Sequence, residues 1–511
     1  MTRKLLLATL LVLAVRLALL PLLPLTDPTE GRYATIGQEM TLGGDWVTPR
    51  VWIGAEKIPF LGKPPLHFWM TAACMKLLGV NEVSARLPAF LATLGLLVIL
   101  WLVIRRRHGA ETAASAVGIT ATCGVFWALA GAVATDMTLA ATSCAATLCY
   151  MAFLQSDERR ERTQWSLAVF FFLGLAFMTK GPVALILFGL PIFLWTLLNR
   201  QWQTLWGHAW LRGMLIFLVI TVPWFALCEL RNPGFCRYFF INENLLRFLT
   251  PAYGDRYGNG HIYPRGSAIV MMLLASMPWS LVALVQLWHL RGKRKWSAMV
   301  RNPVTGIALL GVVSITLFWC LARQLLITYL LPAVPLLAVW VALQIKSRER
   351  LLACVWAYGG ICLVGTFIAV PLLWGDRSLK HALAQLDRNS PTKEQLLVFV
   401  RRTPYSAFFY ARGRVVAHPK EGVGASVERA VALDDPCVLV FRRKYVNRVP
   451  PKLRDAFEVI QDTGGWVVCR PCAPASVHAS AGHSGTVASR RAACSSVATW
   501  LAIFRSIAIE H

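Results

Sequence analysis

Charged residues are scarce in this chain of 511 amino acids, and acidic ones are scarcer still. Only 15% of the residues are charged, with 26 Asp and Glu against 52 Lys and Arg, whereas 56% are hydrophobic and the mean hydropathy is +0.53. Soluble domains carry about 25% charged residues, so this composition excludes an ordinary soluble enzyme. The sequence predicts a polytopic α-helical membrane protein.

The patterns of several other functional classes are also missing. The 13 Cys show no metal-ligand spacing, and most lie in apolar stretches as small apolar residues. Cys469 and Cys472 form a C-x-x-C pair, which we interpret as unrelated cysteines or an incidental disulfide, because no second pair or His set accompanies it. We find no internal repeat. A nucleic-acid partner is not needed to explain the net charge of +26, since basic residues concentrate in alternate loops and in the C-terminal region.

Long apolar stretches are what the chain does have. Roughly 20 apolar residues cross about 30 Å of hydrocarbon, and such stretches predict about eleven transmembrane helices. They lie at residues 4–24, 84–104, 113–133, 137–154, 165–179, 182–198, 209–228, 267–289, 303–322, 325–345 and 351–374. The span at 165–179 is short, because Lys180-Gly181-Pro182 interrupts the apolar run.

Lys and Arg in the short loops predict the orientation. Every second loop is basic when the helices alternate from a cytoplasmic N-terminus. The first segment is predicted to be an uncleaved anchor, because Arg16, Pro21 and Pro24 replace a small-residue cleavage pattern. The candidate catalytic and binding residues lie on the opposite face of the membrane. We therefore expect a multi-pass protein of the cell (inner or plasma) membrane with its active site on the extracytoplasmic side.

Three parts follow one another along the chain. Residues 1–375 form the predicted transmembrane module, with a first outer loop at 25–83 and a second at 229–266 that carries an interfacial helix. Residues 376–472 predict a small extracytoplasmic α/β domain, with a helix around 391–402 and strands at 415–416, 437–441 and 466–468. Residues 473–511 are rich in Ala, Ser, Gly and His and are predicted to be largely disordered.

The first outer loop is the leading candidate for an active site. It holds Asp27, Glu30, Arg32 and Tyr33 at one end and Lys63 at the other, beside a membrane where ionisable groups are usually functional. A carboxylate can accept the proton of an incoming nucleophile while cations stabilise a departing phosphate. The alternative is an ordinary solvated loop, which the many aromatic residues of this segment disfavour.

Other ionisable residues lie at the outer ends of predicted spans. Asp136 is either functional or the N-cap of the next helix. Lys180 can either meet an anionic phosphate or snorkel to the interface. Arg323 lies in a very short outer loop, where an arginine is well placed for a phosphate.

The outer loop at 229–266 predicts an interfacial helix. Glu243 and Arg247 are four residues apart and share a helix face, and Phe239, Phe240 and Phe248 are expected to dip into lipid. His261 follows in the same loop and is more often a plain polar residue than a ligand.

At these residues the chain resembles the polyprenyl-phosphate-sugar-dependent glycosyltransferases of the GT-C fold, the superfamily of the protein O-mannosyltransferases and the lipid A aminoarabinose transferase. The resemblance covers about residues 1–345 and rests on the order of short motifs. They are Thr29-Glu30-Gly31-Arg32-Tyr33-Ala34, Gly44-Asp45-Trp46, Gly62-Lys63-Pro64-Pro65-Leu66 with Trp69, Ala85-Arg86-Leu87-Pro88, Thr135-Asp136, Thr179-Lys180-Gly181-Pro182, Glu243-Asn244-Leu245-Leu246-Arg247-Phe248 and Tyr329-Leu330-Leu331-Pro332.

The resemblance implies roles for several residues. The first-loop motif supplies a carboxylate near the acceptor, Lys63 contacts the carrier phosphate, and Asp136 assists. The aminoarabinose transferases carry Asp-Glu-Thr-Arg-Tyr here, so Glu30 is matched while Asp27 is shifted, and we rank Glu30 ahead of Asp27. Those transferases also place a Glu before the Lys, which helps to hold a metal with a later His. Gly62 stands at that position here and argues against a divalent metal, although His261 is present.

These observations predict an integral membrane glycosyltransferase, with the bilayer and a polyprenyl-phosphate-linked sugar as its partners. A direct displacement would move the sugar to lipid A, another glycolipid, a glycan or a protein. Glu30 or Asp27 would activate the acceptor, and Lys63, with Arg247 and Arg323, would neutralise the leaving phosphate. A transporter or flippase of a polyprenyl-linked or other anionic lipid is the alternative. Transporters place charges near the middle of spans and often show inverted repeats, but here only Arg16 lies well inside a predicted span and no clear repeat is present. A structural scaffold would leave the charged loops unexplained.

Overall fold

The structure is a computed structural model that describes residues 1–250, 257, 261–290, 295–345, 347–374, 378–389, 395–411, 413–416, 422–431, 437–449 and 457–471. The chain divides into two compact units. The first unit contains Met1–Leu22, Ile36–Arg50 and Pro59–Gly365, and the second contains Leu23–Thr35, Val51–Ile58 and the chain from Thr366 onward. The second unit thus includes two pieces of the first outer loop, all of which the sequence assigned to the transmembrane module.

Helices dominate the chain up to residue 374. They are α1 (Thr2–Ala18), α2 (Thr29–Gly43), α3 (Leu66–Leu78), α4 (Glu82–Ala121), α5 (Gly124–Leu129), α6 (Thr135–Gln155), α7 (Arg159–Lys180), α8 (Pro182–Asn199), α9 (Gln203–Trp206), α10 (Trp210–Arg231), α11 (Phe235–Arg237), α12 (Arg247–Leu249), α13 (Ser267–Ala275), α14 (Trp279–Leu290), α15 (Lys295–Arg301), α16 (Pro303–Leu321), α17 (Val334–Gln344) and α18 (Arg348–Trp374). A π-helix at Tyr238–Leu246 joins α11 to α12, and a 3-10 helix at Ile327–Ala333 precedes α17. Strands β1 (Arg50–Ile53) and β2 (Glu56–Pro59) pair between α2 and α3.

Six of the helical segments in the described part of the chain are long and apolar enough to cross a membrane, and a seventh is counted if α13 and α14, bent by 109°, form one span. The predicted count of about eleven is therefore not confirmed. The predicted span at 84–104 lies within the 40 residues of α4, which is broken at Gly109 and also includes the start of the predicted span at 113–133. Gly109 has a φ of 80°, a conformation that glycine adopts without a steric penalty.

The boundary between α7 and α8 is set by three consecutive residues. Lys180 ends α7, Gly181 has a φ of 68°, and Pro182 occupies the first turn of α8, where its missing N–H costs nothing. A Cβ on Gly181 would lie 2.5 Å from Cζ of Phe239, so the chain approaches the π-helix closely here. The predicted interruption at 180–182 is present, and it fixes Lys180 at a helix end.

The outer segment between α10 and α13 is helical from Phe235 to Leu249, as predicted, although its middle is a π-helix. The expectation that its aromatic residues dip into lipid is wrong for Phe239, which is buried and packs with Phe225 and Phe235. Aromatic partners inside the protein take the place of lipid around this ring. Phe248 is half-buried and stacks on Phe318 at a centroid distance of 4.9 Å, and its contact with lipid stays a prediction.

The second unit contains a five-stranded sheet in the order β4-β3-β5-β7-β6. Its elements are α19 (Leu379–Asn389), β3 (Leu396–Phe399), α20 (Tyr405–Ala411), β4 (Val415–Val416), α21 (Val423–Val431), β5 (Cys437–Arg442), β6 (Phe457–Asp462) and β7 (Trp466–Pro471). The strands β4, β3 and β5 are parallel, and β5, β7 and β6 are antiparallel. Apolar side chains are buried on both faces of this sheet.

The predicted strands at 415–416, 437–441 and 466–468 are present as β4, β5 and β7. The helix predicted around 391–402 is wrong where the structure describes it, because Leu396–Phe399 is β3. This strand lies between two parallel neighbours, so its apolar run is continuous rather than alternating, and periodicity does not distinguish it from a helix. Cys469 is buried in β7, whereas Cys472 and the predicted disordered tail lie outside the described residues.

Candidate functional site

An ion pair in the first unit joins two of the predicted residues. Asp136 lies in the first turn of α6, and one of its carboxylate oxygens accepts a hydrogen bond from Nζ of Lys180 at the end of α7. Both side chains are buried, with 11% and 8% of their surfaces exposed. Thr328 donates to the other carboxylate oxygen at 2.9 Å, and the ring of Tyr329 lies 4.1 Å from Nζ of Lys180. Lys180 is therefore fixed at its helix end rather than snorkelling, and Ala134 rather than Asp136 is the N-cap.

Lys63 lies in a short segment that Tyr257 holds in place. The hydroxyl of Tyr257 donates to the carbonyl oxygen of Pro59 at 2.8 Å and accepts from the N–H of Leu61 at 2.7 Å. Its ring packs against Phe60 at a centroid distance of 4.6 Å. The segment that precedes α3 therefore has a fixed course, and this course sets the position of Lys63.

Burial and the nearby Lys180 ammonium lower the pKa of Lys63 below its usual range. Tyr329 and Glu243 oppose this shift, and Arg247 adds to it. No ion pair to Lys63 is present in the described part of the chain. A partly buried ammonium near a second cation is an arrangement that an anion would stabilise.

Arg247 makes polar contacts with Glu243 and Gln324. Its Nη1 lies 2.6 Å from Oε1 of Glu243, so the pair predicted from the four-residue spacing is present, and its Nε donates to Oε1 of Gln324 at 3.0 Å. Gln324 belongs to a segment whose neighbours are also anchored, because the N–H of Arg323 donates to the carbonyl oxygen of Phe248. The guanidinium is thus oriented from two directions.

These cations line a common cavity of about 500 Å³. Lys63, Lys180 and Arg247 contribute positive charge, while Glu243 contributes the one carboxylate in the lining. The remaining wall is mostly apolar, formed by Pro182, Val183, Ile186, Phe239, Phe240, Leu245, Phe248, Leu249, Phe318 and Trp319, with Gly62, Asn244, Gln324 and Tyr329. The volume is in the range of ligand pockets, and the combination suits an amphiphile with an anionic head and an apolar chain.

Three other predicted residues of the first unit are not part of this lining. Asp136 is joined to the lining by its ion pair with Lys180. Arg323 has a buried Nε for which the described residues offer no hydrogen-bond partner. His261 is exposed, and its carbonyl oxygen accepts from the N–H of Leu325 at 3.0 Å.

The acidic motif of the first loop belongs to the second unit. Thr26 donates from its N–H and its hydroxyl to Oε2 of Glu30, at 3.1 and 2.9 Å. Asp27 accepts hydrogen bonds from the N–H and the hydroxyl of Ser406. Burial raises the pKa of Asp27, although those hydrogen bonds and the charge of Arg442 act in the opposite direction. The carboxylates of Glu30 and Asp27 therefore have different hydrogen-bond donors, Thr26 and Ser406.

Arg32 and Tyr33 follow in the same motif. The guanidinium of Arg32 lies 5.2 Å from the ring centroid of Tyr33 and 5.7 Å from that of Tyr405. Such cation–π contacts hold the side chain against the second unit's α20. The sequence also makes Arg32 a candidate for binding the donor phosphate, and that role stays a prediction.

Sequence reasoning missed several residues that shape the two sites. Tyr329 belongs to the motif Tyr329-Leu330-Leu331-Pro332, but no sequence pattern indicated that it contacts Lys180. Gln324 follows the predicted Arg323, and its contact with Arg247 joins positions 77 residues apart. Tyr257 and Ser406 had no signal in the sequence, because each acts through a contact with a distant segment.

The sequence argument against a divalent metal beside Lys63 stays a prediction. A Cβ on Gly62 would lie 3.3 Å from two carbon atoms of the Tyr257 ring, so a carboxylate side chain at this position requires that ring to move. No group of three or more His, Cys, Asp and Glu residues within the described ranges is arranged to hold a metal ion. We derive no step through a metal.

Comparisons with known proteins agree with this architecture. The profile of the family "Dolichyl-phosphate-mannose-protein mannosyltransferase" matches residues 62–226. A solved structure from Cupriavidus metallidurans, ArnT bound to undecaprenyl phosphate, superposes with a TM-score of 0.75 at 22% identity, covering 92% of this chain and 98% of that one. The chain has the GT-C fold. The resemblance to the glycosyltransferase superfamily of that fold, predicted from the sequence, is confirmed.

Curated relatives are also similar to this chain in sequence. The undecaprenyl phosphate-α-4-amino-4-deoxy-L-arabinose arabinosyl transferase of Pseudomonas aeruginosa strain UCBPP-PA14 is 28% identical over 66% of this chain and 60% of its own length. The protein of the same name from Shewanella sediminis is 29% identical over 65% of this chain and 58% of its own length. The matched region therefore spans about 60% of these relatives.

Proposed function

We propose that this GT-C chain is a membrane glycosyltransferase that takes a sugar from a polyprenyl-phosphate carrier and transfers it to an acceptor on the extracytoplasmic side. The single observation that carries the proposal is the cavity of about 500 Å³ in which Lys63, Lys180 and Arg247 face a mostly apolar wall. An anionic head joined to a hydrocarbon chain is the ligand chemistry that such a lining recognises.

The cations support the departure of the phosphate. The acceptor oxygen attacks the anomeric carbon, the bond from that carbon to the phosphate oxygen breaks, and the polyprenyl phosphate leaves with one more negative charge than it carried in the donor. Positive groups that are already in place stabilise this developing charge more than they stabilise the donor, which lowers the barrier. Lys63, Lys180 and Arg247 are proposed for this role.

Asp136 is proposed to act through Lys180. Its carboxylate, also bound by Thr328, fixes the ammonium at the end of α7. A fixed cation needs no reorganisation as the phosphate leaves, and this is the main benefit of preorganised charge. We therefore assign Asp136 a positioning role.

The proton of the acceptor is proposed to pass to Glu30. This assignment rests on the match of Thr29-Glu30-Gly31-Arg32-Tyr33 to the first-loop motif of the superfamily and on the need for a general base within reach of the acceptor oxygen. The names of the curated relatives specify 4-amino-4-deoxy-L-arabinose as their sugar. That sugar is accordingly the first donor to test, followed by hexoses.

Transfer by the purified, reconstituted protein tests the proposal. Polyprenyl phosphates carrying aminoarabinose or a hexose are mixed with lipid, glycan and peptide acceptors, and mass spectrometry detects an acceptor that gains the mass of the sugar. We expect Glu30→Gln and Lys63→Ala to abolish this gain and the exposed Lys57→Ala to preserve it. Transfer at the wild-type rate by both site variants would overturn the assignment, and movement of the donor across liposomes without transfer would favour a flippase.

A further inference from the structure

The short helix α20 of the second unit contacts the acidic motif through successive residues. Ser406 donates its backbone N–H to Oδ1 of Asp27 at 3.1 Å and its hydroxyl to Oδ2 of the same carboxylate. The hydroxyl of Tyr410 accepts a hydrogen bond from the backbone N–H of Leu25 in the first loop, at 2.6 Å. Both oxygens of the Asp27 carboxylate are therefore engaged by one residue.

Further contacts tie the same elements together. The hydroxyl of Thr35 donates to the carbonyl oxygen of Tyr405 at 3.0 Å, and the ring of Tyr405 also meets Arg32. Phe408 stacks on Trp52 with a centroid distance of 5.1 Å and an interplanar angle of 4°. The first-loop segment is held along its length, so its carboxylates do not sample a free loop.

Gly31 makes room for this arrangement. A Cβ at this position would lie 2.6 Å from Oδ1 of Asp27 and 2.7 Å from the backbone N of Ser406. Those atoms form a hydrogen bond with each other, so a side chain at residue 31 would enter the bond itself.

The backbone connects Asp27 to a second set of hydrogen bonds, which hold Glu30. Thr26 precedes Asp27 directly, and both its N–H and its hydroxyl donate to Oε2 of Glu30. Fixing Asp27 fixes the adjacent Thr26, and Thr26 in turn orients Glu30. Because Asp27 is partly buried and accepts two hydrogen bonds from Ser406, it is suited to an anchoring role.

We propose that Ser406 is a positioning residue for the acidic motif: through Asp27 and Thr26 it orients Glu30, so that Asp27 is an anchor and Glu30 is the carboxylate that acts. The proposal rests on the transferase function for the role of Glu30, whereas the chain of hydrogen bonds is independent of it. It assigns a function to α20 that the resemblance, which ends near residue 345, does not include.

Carboxyl labelling of the full-length protein tests the hydrogen-bond chain without an activity measurement. A water-soluble carbodiimide with glycine ethyl ester modifies accessible carboxylates, and mass spectrometry reads Asp27 and Glu30 separately. Ser406→Ala removes the hydroxyl donor, and Gly31→Ala intrudes on the same bond from the other side. A hydrogen bond to a charged group is worth about 1.5 to 3 kcal/mol, so we expect labelling at both carboxylates to rise about tenfold or more.

Ser426→Ala is the matched control. Ser426 is a fully buried serine of the same unit that bonds to the N–H of Arg401 and the carbonyl oxygen of Gly422. It should leave labelling at Asp27 and Glu30 unchanged, and Ser406→Thr, which keeps the hydroxyl, should restore it to the wild-type level. Folded Ser406→Ala and Gly31→Ala proteins with wild-type labelling would overturn the proposal.

Kinetics then separate this proposal from the proposed function. Ser406→Ala should lower kcat about tenfold or more while leaving the KM of the donor unchanged, because the donor phosphate is assigned to Lys63, Lys180 and Arg247. An increase in donor KM with unchanged kcat would contradict the positioning role. If the wild-type protein transfers no sugar, the transferase proposal fails, and the labelling result still decides whether Ser406 orients the two carboxylates.

Discussion

Removing one partner of the Asp136–Lys180 ion pair should destabilise the protein strongly. Both side chains are about nine-tenths buried, so little water is available to solvate the charge that remains. Lys180→Met leaves the carboxylate with the Thr328 hydroxyl as its direct donor. Asp136→Asn leaves the ammonium beside the Tyr329 ring and near the second cation, Lys63.

The magnitude follows from the burial of the pair. Breaking a buried ion pair by removing one partner costs about 3 to 5 kcal/mol, most of it from the uncompensated charge. The double variant Asp136→Asn/Lys180→Met leaves no such charge. We therefore expect it to lose less stability than the two single losses added together, with a coupling free energy of about 2 to 3 kcal/mol.

A double-mutant cycle in detergent micelles measures this coupling. The free energy of unfolding is determined for the wild type, both single variants and the double variant, and binding of a polyprenyl phosphate is measured on the same samples. Stability should recover partly in the double variant, whereas binding should not, because Lys180 lines the cavity. Single losses that simply add would refute the reasoning that the two charges stabilise each other.

Three further predictions concern pH and backbone geometry. Phosphate binding needs the ammonium form of Lys63, and the pKa of this group is lowered below its ordinary value of about 10.4. The affinity for phosphate should therefore fall as the pH rises through the lowered pKa. In a pH titration of binding, Lys63→Arg should remove this fall, because arginine stays charged. The pKa of Asp27 is raised, so the folded protein holds the proton of this carboxyl group more tightly than the unfolded chain does. The free energy of unfolding should therefore fall as the pH rises from about 3.9, the ordinary pKa of Asp, to the raised pKa. Asp27→Asn should flatten this part of a pH–stability curve. Gly181→Ala should lower the free energy of unfolding by about 2 to 4 kcal/mol, since its φ is 68° and its Cβ meets Phe239, whereas Gly189→Ala, with nothing within 4 Å, should not.

Local sequence signals predicted the parts of the structure that depend on local physics. The break at Lys180-Gly181-Pro182 and the pair Glu243–Arg247 follow from residue chemistry over a few positions, and both are present. Hydropathy also predicted about eleven membrane segments, a number that the described part of the chain does not confirm. Apolar composition separated the spans at 84–104 and 113–133, but it did not predict that one broken helix, α4, would contain the first span and the start of the second.

Contacts between distant segments limited the prediction of the site. The convergence of Lys63, Lys180 and Arg247 on one cavity joins three separate segments, and the sequence supplied only their types and their predicted side of the membrane. The division of the first loop between two units was not predicted. Ser406 illustrates the same limit, because it lies 379 residues from Asp27 in the chain.

Binding of a polyprenyl phosphate to the cavity tests the central claim most directly. The affinities of the wild type and of a Lys63→Met/Arg247→Met variant are compared for a polyprenyl phosphate and for the uncharged polyprenol of the same length. Charge-assisted hydrogen bonds are worth about 1.5 to 3 kcal/mol each, so the double variant should bind the phosphate about 100-fold or more weakly and the polyprenol as before. Equal affinity of the wild type for the phosphate and the alcohol, or undiminished phosphate binding by the variant, would contradict the account.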